Sequence, residues 1–115
     1  MIYSNYEKQL WGVKMNNQLL ENMSDICHRE WVEWSKNISE ELYQVIEVLK
    51  KDIEFYEENG IDNEEARHLL EQLENRMERW ESLWIPYDDL SEEMKDSDRI
   101  YAKKMLDLAK EGLNK

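Results

Sequence analysis

Apolar residues recur along this chain at intervals of three and four, the period of one face of an α-helix. A first run spans about Asn17 to Lys36 and continues to Ile38, with Leu20, Met23, Cys27, Trp31 and Trp34 on one stripe. Ser39 then reads as the N-cap of a second helix, whose stripe is Leu42, Val45, Ile46, Leu49, Ile53 and Tyr56. Asn59 and Gly60 close that helix, as a left-handed C-terminal cap requires. A third helix opens on a capping box, with Asp62 as N-cap and Glu65 three residues on. Its seam is Ala66, Leu69, Leu70, Leu73, Met77, Trp80 and Trp84, close to a heptad spacing. The short link from Asn59 to Asn63 predicts that the second and third helices are antiparallel neighbours. Pro86 cannot continue a helix, and Ser91 offers the N-cap of a last one that runs to about Gly112. Glu92 and Glu93 fall in its first turn, where the helix dipole favours acids, and Met94, Tyr101, Met105 and Leu108 or Ala109 are expected to face inward. No stretch alternates with a strand period. The expected fold is all-α, a four-helix bundle-like single domain over residues 15–115. Residues 1–14 form an extra N-terminal leader or strap, in which Tyr3, Tyr6, Leu10 and Trp11 could staple onto the bundle.

The composition sharpens this picture. A chain of 115 residues can bury a core without metals or disulfides, and three glycines with one proline agree with helices joined by short links. Cys27 is the single cysteine, so no internal disulfide forms; its place between Ile26 and His28 suits a small buried hydrophobe in a reducing cytoplasm. No uninterrupted apolar run reaches the ~18 residues of a membrane span, and no basic region followed by an apolar one opens the chain. The expected location is therefore cytoplasmic, with no membrane partner. The net charge of −12 argues against direct nucleic-acid binding, because phosphate contacts draw on Lys and Arg. It suits a basic protein partner, or solubility alone.

The stretch from Trp80 to Arg99 carries the most particular pattern: Trp80, then Pro86-Tyr87, Leu90, Lys95 and Asp98-Arg99. Upstream, His28 and Trp31 stand three apart, followed by Trp34. Together these resemble the C-terminal half of the ryanodine-receptor (RyR) repeat and its short phage and bacterial relatives. The resemblance covers about Met15 to Leu108 and is specific only at His28, Trp31 and Trp80 to Arg99. Residues Glu40 to Arg79 depart from the repeat, being longer and without its glycine-rich turns. What the resemblance implies is a binding or interaction module rather than a catalyst, of phage or mobile-element type, working in a host cytoplasm as a counter-defence factor.

The candidate chemistry lies in the same stretch. Lys95, Asp98 and Arg99 occupy the first two turns of the last helix, and Asp98 falls where packing expects an aliphatic side chain. A partly buried aspartate needs a partner, and Lys95, His28 or Arg99 could supply it. Two readings stay open. The charges could fix the Pro86-Tyr87 turn, or His28, Trp31, Trp80, Tyr87, Lys95, Asp98 and Arg99 could wall a pocket for a small anionic, nucleotide-derived ligand. In that pocket aromatic faces would stack on a base and cations would meet phosphates. A metal site is the weaker candidate: Asp25 with His28, and Glu65 with His68, each place a carboxylate and an imidazole one turn apart, but 27 acids make such spacings common. A Mg²⁺-dependent nucleotide pyrophosphohydrolase resembles a bundle with Glu-Glu-x-x-Glu and a later Glu-x-x-Asp. Here Glu40-Glu41 is followed by Gln44, and only Glu93 with Asp96 fits. Cys27 and His28 are neighbours on a helix and cannot face each other as nucleophile and base.

The expected activity is non-enzymatic binding of the anionic ligand, with no catalytic residue, no metal and no cofactor. The alternative is an acidic protein that inhibits a basic host enzyme of nucleic-acid handling or defence, with Trp11, Trp34 and Trp84 as possible anchors. The long apolar stripes, with Tyr56, Trp80 and Trp84, further predict a homo-oligomer, as a dimer.

Overall fold

The computed structural model describes the backbone of residues 5–113 and the side chains of residues 17–113. Three α-helices follow one another: α1 over Asn5–Glu58, α2 over Glu64–Ser82 and α3 over Glu92–Leu113, with a single 3-10 turn at Tyr87–Asp89 and no strand among the described residues. The all-α expectation holds, but the count of four helices does not. The first two expected helices are one continuous helix of 54 residues. Ser39 is not a cap: its hydroxyl donates to the Lys36 carbonyl at 2.6 Å, the back-bond that lets serine sit inside a helix. No glycine or proline stands near it to stop the chain, and the three-four apolar spacing runs straight through. The backbone is already helical at Asn5, well before Asn17. The stapling expected of Tyr3, Tyr6, Leu10 and Trp11 lies outside the described side chains.

The other helix ends follow their local chemistry. Gly60 has φ +65°, the left-handed conformation that lets the chain leave α1, and the Ile61 N–H reaches back to the Tyr56 carbonyl at 2.8 Å. At the start of α2 the N-cap position is Asn63, one residue later than expected, and no side chain caps it. Asp62 instead accepts from the Glu64 N–H at 3.1 Å. Ser91 caps α3 as expected, its hydroxyl accepting the Met94 N–H at 3.2 Å.

The chain divides into two compact units, Met1–Glu30 with Pro86–Lys115, and Trp31–Ile85. The second is a helical hairpin of the C-terminal part of α1 and α2. Ile46, Ile53 and Met77 are buried in its seam, flanked by half-buried Leu42, Leu49, Leu70 and Leu73. Leu69, expected in that seam, stands outside it and is 44% exposed. The hairpin's two faces differ. One is laced by Lys50 with Glu74 at 3.9 Å, Glu57 with Arg67, and a Tyr43 hydroxyl donating to Glu81. The opposite face carries Trp34 against Trp80.

In the first unit the inward face of α3 is Lys95, Asp98, Arg99, Ala102 and Leu106, with Met94 at its edge. Tyr101, Met105 and Leu108, expected to be buried, are exposed. Ala102 is fully buried, as is Ser24 of α1, so these two helices turn small side chains inward, while His28, Tyr87 and Leu90 supply the larger buried ones. Helices can approach closely at such residues, and a stripe of large apolar side chains would hold them apart.

Candidate functional site

Five of the seven expected site residues gather in the first unit. His28 and Tyr87 are both buried, their ring centroids 6.5 Å apart and tilted by 50°. The 3-10 turn places Tyr87: Pro86 fixes the entry to the turn, and the Asp89 and Leu90 N–H groups close it onto the Pro86 and Tyr87 carbonyls at 2.9 and 3.0 Å. Lys95 lies over the Tyr87 ring at 5.5 Å from its centroid and 3.5 Å from Glu92. Asp98 Oδ2 stands 3.7 Å from His28 Nδ1, within ion-pair range. Of the partners weighed for Asp98, the histidine is the one at hand. Burial pushes the Asp98 carboxyl above its ordinary range, and His28 only partly offsets this.

Arg99 is the hub. Its Nε and Nη2 meet Glu21 Oε1 at 2.8 and 2.7 Å, and its Nη1 meets Glu92 Oε2 and Asp96 Oδ1 at 2.8 Å each. Asp96, Glu92 and Glu21 together hold the guanidinium protonated even more firmly than usual. Glu21 also accepts from the Tyr87 hydroxyl. Burial tends to raise the Glu21 carboxyl, but the bonds from Tyr87 and Arg99 outweigh it and leave it below its ordinary range. The same contact and burial push the Tyr87 phenol up to about 12, burial being the larger cause.

Glu21 is the residue that the sequence did not disclose. It is one acid among 27, and nothing in its local pattern marks it. The one available signal was geometric: Glu21, Ser24 and His28 follow at three-four spacing, so a carboxylate shares the face that carries His28.

The two remaining expected residues, Trp31 and Trp80, belong to the hairpin unit. There they pack edge to face at 6.1 Å, with Trp34 tilted on Trp80 at 5.9 Å. Trp84 is half-buried, donates its indole N–H to Ser35 Oγ at 2.9 Å, and has Lys36 5.6 Å from its ring centroid. Cys27 is half-buried, its thiol pushed up by burial and then by Asp98, which disfavours the reactive thiolate.

Among the described residues no group of three His, Cys, Asp or Glu side chains could hold a metal ion, and no helix is long and apolar enough to cross a membrane. Of the metal candidates, His28 faces Asp98 and His68 lies 3.3 Å from Gln72. The chain matches no protein-family model, no curated protein and no solved structure.

Proposed function

We propose that the protein acts by binding, not by catalysis, and that its target is a basic protein surface. The observation that carries this reading is the state of the cations between Trp80 and Arg99. Arg99 already meets three carboxylates, and Lys95 lies between Glu92 and the Tyr87 ring. An anionic ligand would have to displace those acids, each bonded at 2.7–2.8 Å to Arg99, before gaining a contact of its own. The outward charge of the same segment is negative: Asp88, Asp89 and Glu93 are exposed, and none takes part in an ion pair among the described residues. With a net charge of −12, long-range attraction favours a basic partner and speeds its encounter. An inhibitor of a nucleic-acid-handling or defence enzyme would carry such a surface.

The test is affinity capture of the tagged full chain from a host lysate at low salt. A bound protein that elutes at high salt is expected, and the Asp88→Lys/Glu93→Lys variant should retain less of it while melting like the wild type. Mass spectrometry of the same eluate decides against this reading if it finds a nucleotide and no protein, because that would return Lys95 and Arg99 to the role of ligand cations.

A further inference from the structure

The open face of the hairpin unit has the width and the charge pattern of an interface. A helix that packs against one neighbour needs only a narrow apolar seam, whereas one facing two neighbours carries a wider stripe. In α1 the seam positions Leu42, Ile46, Leu49 and Ile53 face α2, but the apolar positions do not stop there. Trp34, Ile38, Val45 and Val48 continue around the helix on the side away from the ion pairs to α2. On α2, Leu69 and Leu73 flank the same side. Trp34 is 54%, Val45 44%, Val48 57% and Leu69 44% exposed. Isolated exposed apolar residues are ordinary; a row along one face of α1, with Leu69 exposed on the same side of α2, is not.

Apart from Glu65 at the start of α2, the charges on this face are sorted by helix. Glu41 and Asp52 lie among the exposed apolar positions of α1. Arg76 and Arg79 lie on α2, where with Leu69, Leu73, Gln72 and Asn75 they line a shallow groove of about 370 Å³. None of these four charges enters an ion pair among the described residues, unlike the opposite face. We propose that a second copy of this chain covers the face, two hairpins forming a four-helix bundle about a two-fold axis parallel to the helices.

That axis sets α1 of each copy against α2 of the other. The alternative, an axis across the helices, would set Glu41 and Asp52 against their own counterparts and the two arginines against theirs. Charge complementarity selects the first. Within the hairpin, Lys50 stands level with Glu74 and Glu57 with Arg67. Carried across a parallel axis, the same levels put Arg79 of the second copy about one turn from Glu41, and Arg76 about one turn from Asp52, within reach of the long arginine side chains. The contact is isologous, so both pairs form twice and the assembly closes at two.

The test is the mass of the full chain by light scattering at micromolar concentration, with dissociation followed on dilution. The wild type should be a dimer. Reversing one helix's charges, as Arg76→Glu/Arg79→Glu or as Glu41→Arg/Asp52→Arg, should weaken the dimer by about a hundredfold or more, since like charges brought together across an interface cost several kcal/mol. Reversing all four should restore it. All four sites are exposed, so unchanged helicity by circular dichroism checks that each variant still folds. A monomeric wild type overturns the proposal, whether the face then stays bare or is found to take another protein. So does a dimer indifferent to Arg76→Glu/Arg79→Glu, the outcome for an axis across the helices. Capture of a basic partner has a separate readout, so either result can fail alone.

Discussion

The unit built from residues 1–30 and 86–115 and the hairpin of residues 31–85 fill their interiors in different ways. In the first, the buried side chains that have been described are Ser24, His28, Tyr87, Leu90 and Ala102, and beside them Glu21, Asp98 and Arg99 form a polar network. In the second, Ile46, Ile53 and Met77 form an aliphatic seam, and its polar groups are the hydroxyls of Ser35 and Ser39, both bonded to backbone carbonyls of their own helix. Burial of apolar area is strong but tolerant of direction. Hydrogen-bonded charges add little net stability but fail sharply when one partner is removed. The hairpin should therefore respond most to lost volume, and the other unit to lost partners and to pH.

The largest expected effect falls in the hairpin. Met77 is 3% exposed, and Met77→Ala should cost about 2–4 kcal/mol of unfolding free energy, since the cavity adds to the lost transfer energy. Denaturant titration measures it. A cost under about 1 kcal/mol would mean that the seam is not close-packed and would remove the contrast between the two units.

Next comes Arg99→Ala. It leaves Glu21, Glu92 and Asp96 without the cation they share, only Glu92 keeping Lys95 at 3.5 Å. Arg99 is partly open to solvent, so the expected cost is about 1–2 kcal/mol, below that of a fully buried pair. Added salt should recover part of it by screening the three acids. A variant as stable as the wild type at low salt would show that the network adds nothing.

How much of this could be read from the sequence varied with the kind of signal. Local backbone chemistry was legible: Asn59-Gly60 ended a helix, Ser91 capped one, and Pro86 stands between helices, although α2 has already ended at Ser82, short of the expected Trp84. Each of these acts through its own φ, ring or hydroxyl. Ser39 was misread because serine's hydroxyl serves a helix interior as well as a cap, and only the surrounding chain decides. The inward face of α3 was misread for another reason. Hydrophobic periodicity weights large side chains, so Tyr101, Met105 and Leu108 pointed to one face while the buried position is Ala102. Close helix approach rewards small residues, which carry no such weight. Of the candidate site, His28, Lys95, Asp98 and Arg99 were legible as charges and a ring at helical spacing, and Tyr87 from the proline turn that carries it. Glu21 was not, because its significance lies 78 residues away in Arg99.

Alkaline titration separates the units through two tyrosines. The Tyr87 phenol is pushed from 10.0 up to about 12, so above pH 10 the unfolded chain loses this proton before the folded one does. Ionisation then favours unfolding, and stability falls between pH 10 and pH 12, by on the order of 1–2 kcal/mol from this group. The Tyr87→Phe variant should lack that part of the slope. Tyr43 in the hairpin is also raised, by its bond to Glu81, but it is exposed, and Tyr43→Phe should change the slope less than Tyr87→Phe does. Equal slopes for wild type and Tyr87→Phe would place the phenol in water.

The smallest effect, and the finest test of the polar interior, comes from its two carboxylates, which are shifted in opposite directions. Glu21 lies below its ordinary range, so it adds stability at neutral pH that is lost as pH falls through its folded value. Asp98 lies above its ordinary range because burial outweighs His28, so its ionised form costs stability at neutral pH. That cost sets in as pH rises from the ordinary carboxylate range through the folded value, and it is absent below both. Asp98→Asn keeps the shape and an oxygen toward His28 while removing the charge. It should gain about 0.5 kcal/mol at pH 7 and nothing at pH 3. Glu21→Gln should lose stability at pH 7 and approach the wild type only once the pH falls through the folded value of Glu21, below its ordinary range. If Asp98→Asn is instead destabilising at pH 7 by more than about 1 kcal/mol, the attraction between Asp98 and His28 exceeds the burial cost. The pair would then be a stabilising ion pair, and the first unit would depend on its charges as strongly as the hairpin depends on Met77.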